Sequence, residues 1–206
     1  MLEQYYLIIA MVFKGNSTEN YEEGVGLHIE PERQKFPEAR EFLDTQVLRD
    51  IYDNTPALQI GTFDEYRTYL KTINPNSEVQ EVVWHGTNTK FDTFEKGKRR
   101  FDTGFYFGHL NYIRHNGYGS RLVEMGALLN VEHLFNKTLK RLEWQTPAAE
   151  MAAITEALDQ NADGIRFTNE AGNEYYYLVF EPEQIHVLGN ASDAAQFRQY
   201  LEGQSE

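Results

Sequence analysis

Two short segments of the chain combine residue types that can do chemistry. His85-Gly86-Thr87 directly follows Val82-Val83-Trp84, so a strand ends in an imidazole. That ring can donate, accept or take up a proton near neutral pH. The glycine after it lets a ligand approach the backbone. Further on, Gly104-Phe105-Tyr106-Phe107-Gly108 is an aromatic strand bounded by glycines, and Tyr112 and Tyr118 follow, the latter between Gly117 and Gly119. Each segment also has an ordinary use: the histidine as a structural group, the aromatic strand as core. Lys96, Lys98, Arg99 and Arg100 form a basic cluster between the two segments. It is either a solvated loop or a contact to an anion such as a pyrophosphate or to a target.

Composition narrows the chemistry. The 206 residues are 41% hydrophobic and 25% charged, which fits a globular chain with a substantial core. The absence of cysteine removes thiol nucleophiles, disulfide frameworks and Cys-ligated zinc. The six histidines show no zinc spacing, so no metal is expected. No phosphate-binding P-loop, dinucleotide-binding glycine fingerprint or nucleophile elbow is present. A net charge of −13 disfavours nucleic acid as a partner. The apolar run Tyr5–Phe13 is too short to span a bilayer and reads as a buried strand, so no membrane is expected, and a cytoplasmic address fits best.

The elements that must position these residues are legible in outline. Lys14 to Arg33 reads as a loop with a short strand at Val25–Ile29. Pro37 to Asp53 has helical spacing of Phe42, Leu43, Val47, Leu48 and Ile51. Thr62 caps a second helix, with Glu65 placed for a capping box and Phe63, Tyr66, Tyr69, Leu70 and Ile73 on one side. Strands are expected at Val82–Trp84, Phe105–Phe107 and Leu122–Val131. A helix follows over Pro147–Asp159, with Met151, Ile154 and Leu158 inward. Gly164–Phe167 and Tyr175–Phe180 form a hairpin around 169–173, and Ala194–Leu201 is a terminal helix. Helices dominate the N-terminal third and strands the rest, which predicts an α+β fold.

Taken in order, these pieces resemble the ADP-ribosyltransferase superfamily, in its His-Tyr-Glu branch of diphtheria-toxin and poly(ADP-ribose)-polymerase type. They are most similar to the toxin-like ADP-ribosyltransferase domains of phage and mobile-element polyvalent proteins. The resemblance is carried by Trp84-His85-Gly86-Thr87-Asn88, Phe91-Asp92-Thr93-Phe94, Gly104-Phe105-Tyr106-Phe107 and Tyr118-Gly119. Asp163-Gly164-Ile165 and Val179-Phe180-Glu181-Pro182-Glu183-Gln184-Ile185 complete it. It spans roughly Phe63 to Leu188.

The resemblance implies a split, mostly antiparallel β-core over 61–190, with residues 1–60 as an N-terminal helical elaboration packed on it within a single domain of 1–206. It implies NAD as substrate and a mono-ADP-ribosyl transfer to a macromolecular acceptor, in particular a protein. By resemblance, His85 holds the adenosine ribose and Gly86 offers backbone groups to the nicotinamide amide. Tyr106 and Tyr118 flank the ring, with Tyr112 as the spare candidate, and Thr87 and Phe107 complete the cofactor-binding set. Cleavage of the nicotinamide–ribose bond passes through an oxocarbenium-like state, which calls for a carboxylate. Tyr176 occupies the family's glutamate position. Glu174 lies two residues upstream, on the same side of a strand, and a bulge would restore its register. The expected catalytic set is therefore His85, Tyr106 and Glu174. The alternatives are a solvated Glu174 in a decayed binding or interaction module, or NAD hydrolysis with water as acceptor.

Overall fold

Runs of aromatic and aliphatic residues build a sheet whose middle strands carry the motifs. The structure, a computed structural model, describes residues 46–96, 103–115, 123–141, 143, 146–172 and 174–204, all within the unit Phe36–Glu206. The expectations for residues 1–45, for Lys98, Arg99 and Arg100 and for Tyr118 lie outside the described residues.

The elements run α1 (Gln46–Asp53), α2 (Phe63–Leu70), β1 (Val83–Thr87), β2 (Phe105–Gly108), α3 (Leu110–His115), β3 (Val123–Leu129), β4 (Leu134–Leu139), α4 (Pro147–Asp159), β5 (Gly164–Asn169), β6 (Tyr175–Val179), β7 (Ile185–Val187) and α5 (Ala191–Gly203). The fold is α+β, with a seven-stranded sheet in the order β4-β5-β6-β2-β1-β3-β7. β4 and β5 are parallel, joined by the α4 crossover that a parallel pair requires. The other described pairings are antiparallel. Strands β4 and β7 and helix α3 were not anticipated from the sequence.

Helix α2 starts as its sequence predicts. The Thr62 hydroxyl accepts from Glu65 N, while Thr62 N donates to the Glu65 carboxylate at 2.6 Å. That bond holds the Glu65 carboxyl below its ordinary pKa. Helix α4 departs from its prediction. Ile154 is buried, but Met151 and Leu158 are 47% and 53% exposed. The buried face is Ala153, Ile154 and Ala157, in the cluster with Ile165, Phe167 and Leu178 of the sheet, and its two alanines suit a close approach.

Strand register divides the sheet residues between two faces. Trp84 opposite Gly108, Tyr106 opposite Leu178 and Phe167 opposite Tyr176 share one face. His85, Phe105, Phe107, Tyr175, Tyr177 and Val179 point to the other. Helix α4 covers part of the Tyr106 face through a core of Ile165, Phe167, Tyr176 and Leu178. Helices α1, α2 and α5 gather around Leu48, Leu58, Tyr66, Leu70 and Phe197, with Leu128 of β3 and Leu188 in the same cluster. Of residues 1–60, the described part, 46–60, thus contributes Leu48 and Leu58 to this core.

Candidate functional site

The motif strands β1, β2 and β6 are neighbours in the sheet although a hundred residues of chain separate their ends. Their contact is uneven. β1 pairs with β3 over five positions but with β2 at Trp84–Gly108 alone among the described residues. Beyond that bridge a side chain takes over from the ladder, as His85 Nδ1 meets the Tyr106 carbonyl oxygen at 2.9 Å. A carbonyl only accepts, so Nδ1 carries the proton, and a neutral His85 presents Nε2 as an acceptor.

The ring of His85 is held by aromatic neighbours. Phe94 meets it edge-on at 5.0 Å, Phe91 does so at 5.9 Å, and Phe107 lies at 5.6 Å. Phe91 and Phe94 come from the loop after β1. That loop is tied down where Asn190, the N-cap of α5, donates from Nδ2 to the Asp92 carbonyl. Phe107 is fully buried, so it acts as the floor under His85 and cannot line a cofactor site as expected. Thr87 closes its own turn by donating to the Thr89 carbonyl. Gly86 pairs with Glu124 of β3. Lys96, of the basic cluster, is paired with Glu181.

Tyr106 points to the opposite face, into a group of hydroxyls and one carboxylate. Glu150, in the first turn of α4, accepts from the Tyr176 hydroxyl at 2.6 Å and from the Tyr106 hydroxyl at 3.4 Å. Tyr176 is 5% exposed and its ring stacks on Phe167 at 4.8 Å. The half-buried rings of Tyr106 and Tyr112 contact it at 6.1 and 6.0 Å. Burial first, and the adjacent Glu150 charge second, push the Tyr176 hydroxyl far above its ordinary pKa. It is a neutral donor at any working pH and cannot replace a carboxylate at the position it occupies.

Glu174 is not part of this group. It is exposed at the end of the β5–β6 hairpin, where its backbone N–H and carboxylate both meet the Asn169 side chain. The residue of β6 opposite Tyr106 is Leu178. Glu174 therefore stands four residues along the strand, about 13 Å away at the usual strand rise. The expectation that its carboxylate opens onto the space between His85 and Tyr106 is corrected accordingly. The shared strand parity was right, but parity fixes the face and not the position along it. No bulge interrupts the β2–β6 pairing from Phe105–Val179 to Gly108–Tyr176.

Glu150 was missed because nothing in Pro147-Ala148-Ala149-Glu150 sets it apart from an acid favoured in any first helical turn. On the His85 face a second carboxylate, Glu81, was missed too. It accepts from Tyr177 at 2.8 Å and from Tyr175 at 2.9 Å, with the His109 ring 4.1 Å from that of Tyr175 and the Arg166 guanidinium 4.2 Å from it. Burial, then the Glu81 charge, raise both tyrosine pKa values. A concavity of about 320 Å³ bordered by Glu78, His133, Phe135 and Asn161 lies at the start of β4 and includes none of these residues. Among the described residues no helix is long and apolar enough to cross a membrane. Comparison of the chain with family models, with curated proteins and with solved structures finds no match in any of the three.

Proposed function

We propose that the protein is an NAD-dependent mono-ADP-ribosyltransferase acting on a protein acceptor, with a split, mostly antiparallel core of the ADP-ribosyltransferase type. The observation that carries this reading is the Glu150 carboxylate within hydrogen-bond reach of Tyr106, the tyrosine of the motif. Two further observations support it. The motif strands β1, β2 and β6 are adjacent, and β1 and β2 part beyond the Trp84–Gly108 bridge.

The chemistry asks little of the protein beyond placement and charge. The bond between the nicotinamide nitrogen and ribose C1′ breaks, and its electron pair leaves with nicotinamide, which becomes neutral. The ribose is left as an oxocarbenium ion, which a nearby carboxylate stabilises. An acceptor nucleophile bonds to C1′ and gives up its proton. The Tyr106 ring packs against nicotinamide, Glu150 supplies the negative charge that Glu174 is too remote to supply, and His85, on the opposite face, holds the Tyr106 strand through Nδ1.

A second reading is favoured by a specific observation. Tyr176 fills the family's glutamate position and Glu174 is solvent-exposed, which fits a binding module on the same frame that has lost transfer. Incubation with NAD labelled in the adenosine part and a host lysate decides among these readings. Label on a protein band, lost in Glu150→Gln, supports the transferase. Nicotinamide release without labelled protein indicates hydrolysis. Saturable NAD binding with neither product leaves the binding module.

A further inference from the structure

Strand β4 ends the sheet on one side, and its edge is regular. Every residue from Leu134 to Leu139 pairs with β5 in continuous register, so no bulge interrupts the strand. Backbone groups of a strand alternate in direction from one residue to the next. The His133 carbonyl accepts from Asp163 N on the β5 side, and the next residue, Leu134, donates its N–H away from β5 to the Glu78 carboxylate at 3.2 Å. Asn136 and Thr138 share the parity of Leu134, so they direct their N–H and C=O groups off the edge of the sheet. Both are exposed, and β4 has no second strand partner among the described residues. Devices that commonly close such an edge are missing from the strand. It has no proline, and the Lys137 ammonium is turned to Glu156 of α4 at 2.6 Å.

The concavity of about 320 Å³ lies at the start of this same edge. Glu78 brings a carboxylate to its border, and α4 ends beside it at Gln160, where the helix dipole is negative. Half-buried Phe135 adds an aromatic ring to the lining. A carboxylate, a helix C-terminus and a ring together favour a planar cation. The net charge of −13 draws basic partners to the chain as a whole. We infer that the outer edge of β4 takes an extended peptide of a partner protein as a further strand of the sheet, and that an arginine of this peptide occupies the concavity beside Glu78. Main-chain pairing with Asn136 and Thr138 supplies the affinity, and the arginine sets the choice of partner. Strands β5 and β6 separate β4 from β2, so the site is distinct from the Tyr106–Glu150 group and stands whether or not the chain transfers ADP-ribose.

The probe is a blocked peptide of alternating threonine and valine around one arginine, titrated into the full-length chain by calorimetry, with citrulline in place of arginine as the control. Saturable binding of the arginine peptide is expected. The N–H groups of Asn136 and Thr138 should gain protection from hydrogen exchange, and that of Lys137, which already faces β5, should not. N-methylation of alternate peptide amides separates pairing from side-chain contact, because one set faces β4 and the other faces solvent. One methylated set should abolish binding and the other should leave it within about twofold. Thr138→Pro removes an outward N–H without breaking a bond to β5, so it should keep the far-ultraviolet dichroism and lose the peptide. Glu78→Gln keeps an acceptor for the Leu134 N–H. It should weaken the arginine peptide about fivefold and the citrulline peptide less than about twofold. No binding, equal binding of both methylated sets, or binding without protection at Asn136 and Thr138 overturns the inference. Equal weakening of both peptides in Glu78→Gln overturns the choice of arginine. A dimer of the free chain that Thr138→Pro dissociates assigns the edge to a second copy of this chain and overturns the inference as well.

Discussion

Four tyrosines buried among the described residues should make the stability of this protein steeply dependent on alkaline pH. Tyr66, Tyr69, Tyr176 and Tyr177 are each 5% exposed or less. Each has its hydroxyl raised well above the ordinary value near 10, by burial first and then by the charge of a nearby carboxylate. The carboxylates are Asp193 for Tyr66 and Tyr69, Glu150 for Tyr176 and Glu81 for Tyr177. A raised pKa means that the folded chain keeps these protons while the unfolded chain gives them up. The stabilisation is therefore complete below pH 10 and is lost as the pH climbs from there toward the folded-state values. At pH 11 each such tyrosine favours the unfolded chain by about 1.4 kcal/mol. The four together come to about 6 kcal/mol, against a total stability of roughly 5–15 kcal/mol for a domain. Half-buried Tyr175 adds a smaller amount, because water screens part of its environment.

The chain should therefore unfold cooperatively with a midpoint between about pH 11 and 12. Tyrosinate absorbance near 295 nm, recorded with far-ultraviolet circular dichroism, reads both sides of the linkage. The buried tyrosines should ionise in a single step coincident with loss of dichroism. In Tyr176→Phe the loss of stability per pH unit above that midpoint should fall by about a quarter, because one of four linked protons is gone. One smooth wave of all tyrosines near pH 10, with dichroism intact to pH 12, would refute the reasoning.

Three further outcomes follow from single contacts. Glu150→Gln should lower turnover of NAD by about 10²–10³-fold while leaving NAD affinity within a few-fold, and Glu174→Gln should change turnover by less than about twofold; steady-state nicotinamide release measures both. Tyr66→Phe removes a 2.6 Å donor from Asp193, which is 0% exposed and otherwise held by His186 and the Gly189 N–H. It should cost about 2–3 kcal/mol and lower the melting temperature by roughly 4–10 °C in scanning calorimetry. Gly104 has φ of +148°, and a Cβ there would overlap the Val179 carbonyl and approach Leu178 to 2.7 Å. Gly104→Ala should accordingly cost about 3 kcal/mol or more in urea unfolding, or abolish folding.

What the sequence disclosed follows from how local each signal is. The Thr62–Glu65 capping box, the hairpin after β5 and the strands at Val83 and Phe105 are set by neighbours within a few positions, and all are present. The orientation of α4 was misread because Met151 and Leu158, both large and apolar, outweighed two alanines in the pattern. Packing against a sheet rewards close approach as well as apolar area, so the Ala153–Ala157 face went inward. β4 was hidden by its polarity: on this edge strand Asn136 is exposed, and Lys137, on the other face, bonds Glu156 of α4. Glu150 and Glu81 meet their tyrosines over separations of 26 and 96 residues. No spacing rule within one element carries such information. Glu174 shows the opposite case, a correct local rule insufficient on its own.

His85 and Tyr106 were expected to work side by side, and the register puts their side chains on opposite faces of the sheet. The link between them is the imidazole bond to the Tyr106 carbonyl. It sits where β1 and β2 cease to pair, so a side chain supplies the donor that the ladder no longer provides. That placement gives His85 a structural duty that a ligand at Nε2 would not disturb, since Nδ1 keeps its proton whether the ring is neutral or charged. It also makes the β1–β2 separation depend on the histidine. Substitution by alanine would release the Tyr106 strand on one side and empty the ring space among Phe91, Phe94 and Phe107 on the other. A loss of NAD binding in such a variant would thus be ambiguous between a missing ligand contact and a displaced Tyr106. The separation requires a residue that keeps the Nδ1-type donor and lacks the second nitrogen. Asparagine is the nearest natural approximation, with its amide able to donate to the same carbonyl. If His85→Asn retains the Tyr106 geometry but loses NAD, the imidazole Nε2 is the contact; if it retains both, His85 is a brace and the ribose is held elsewhere.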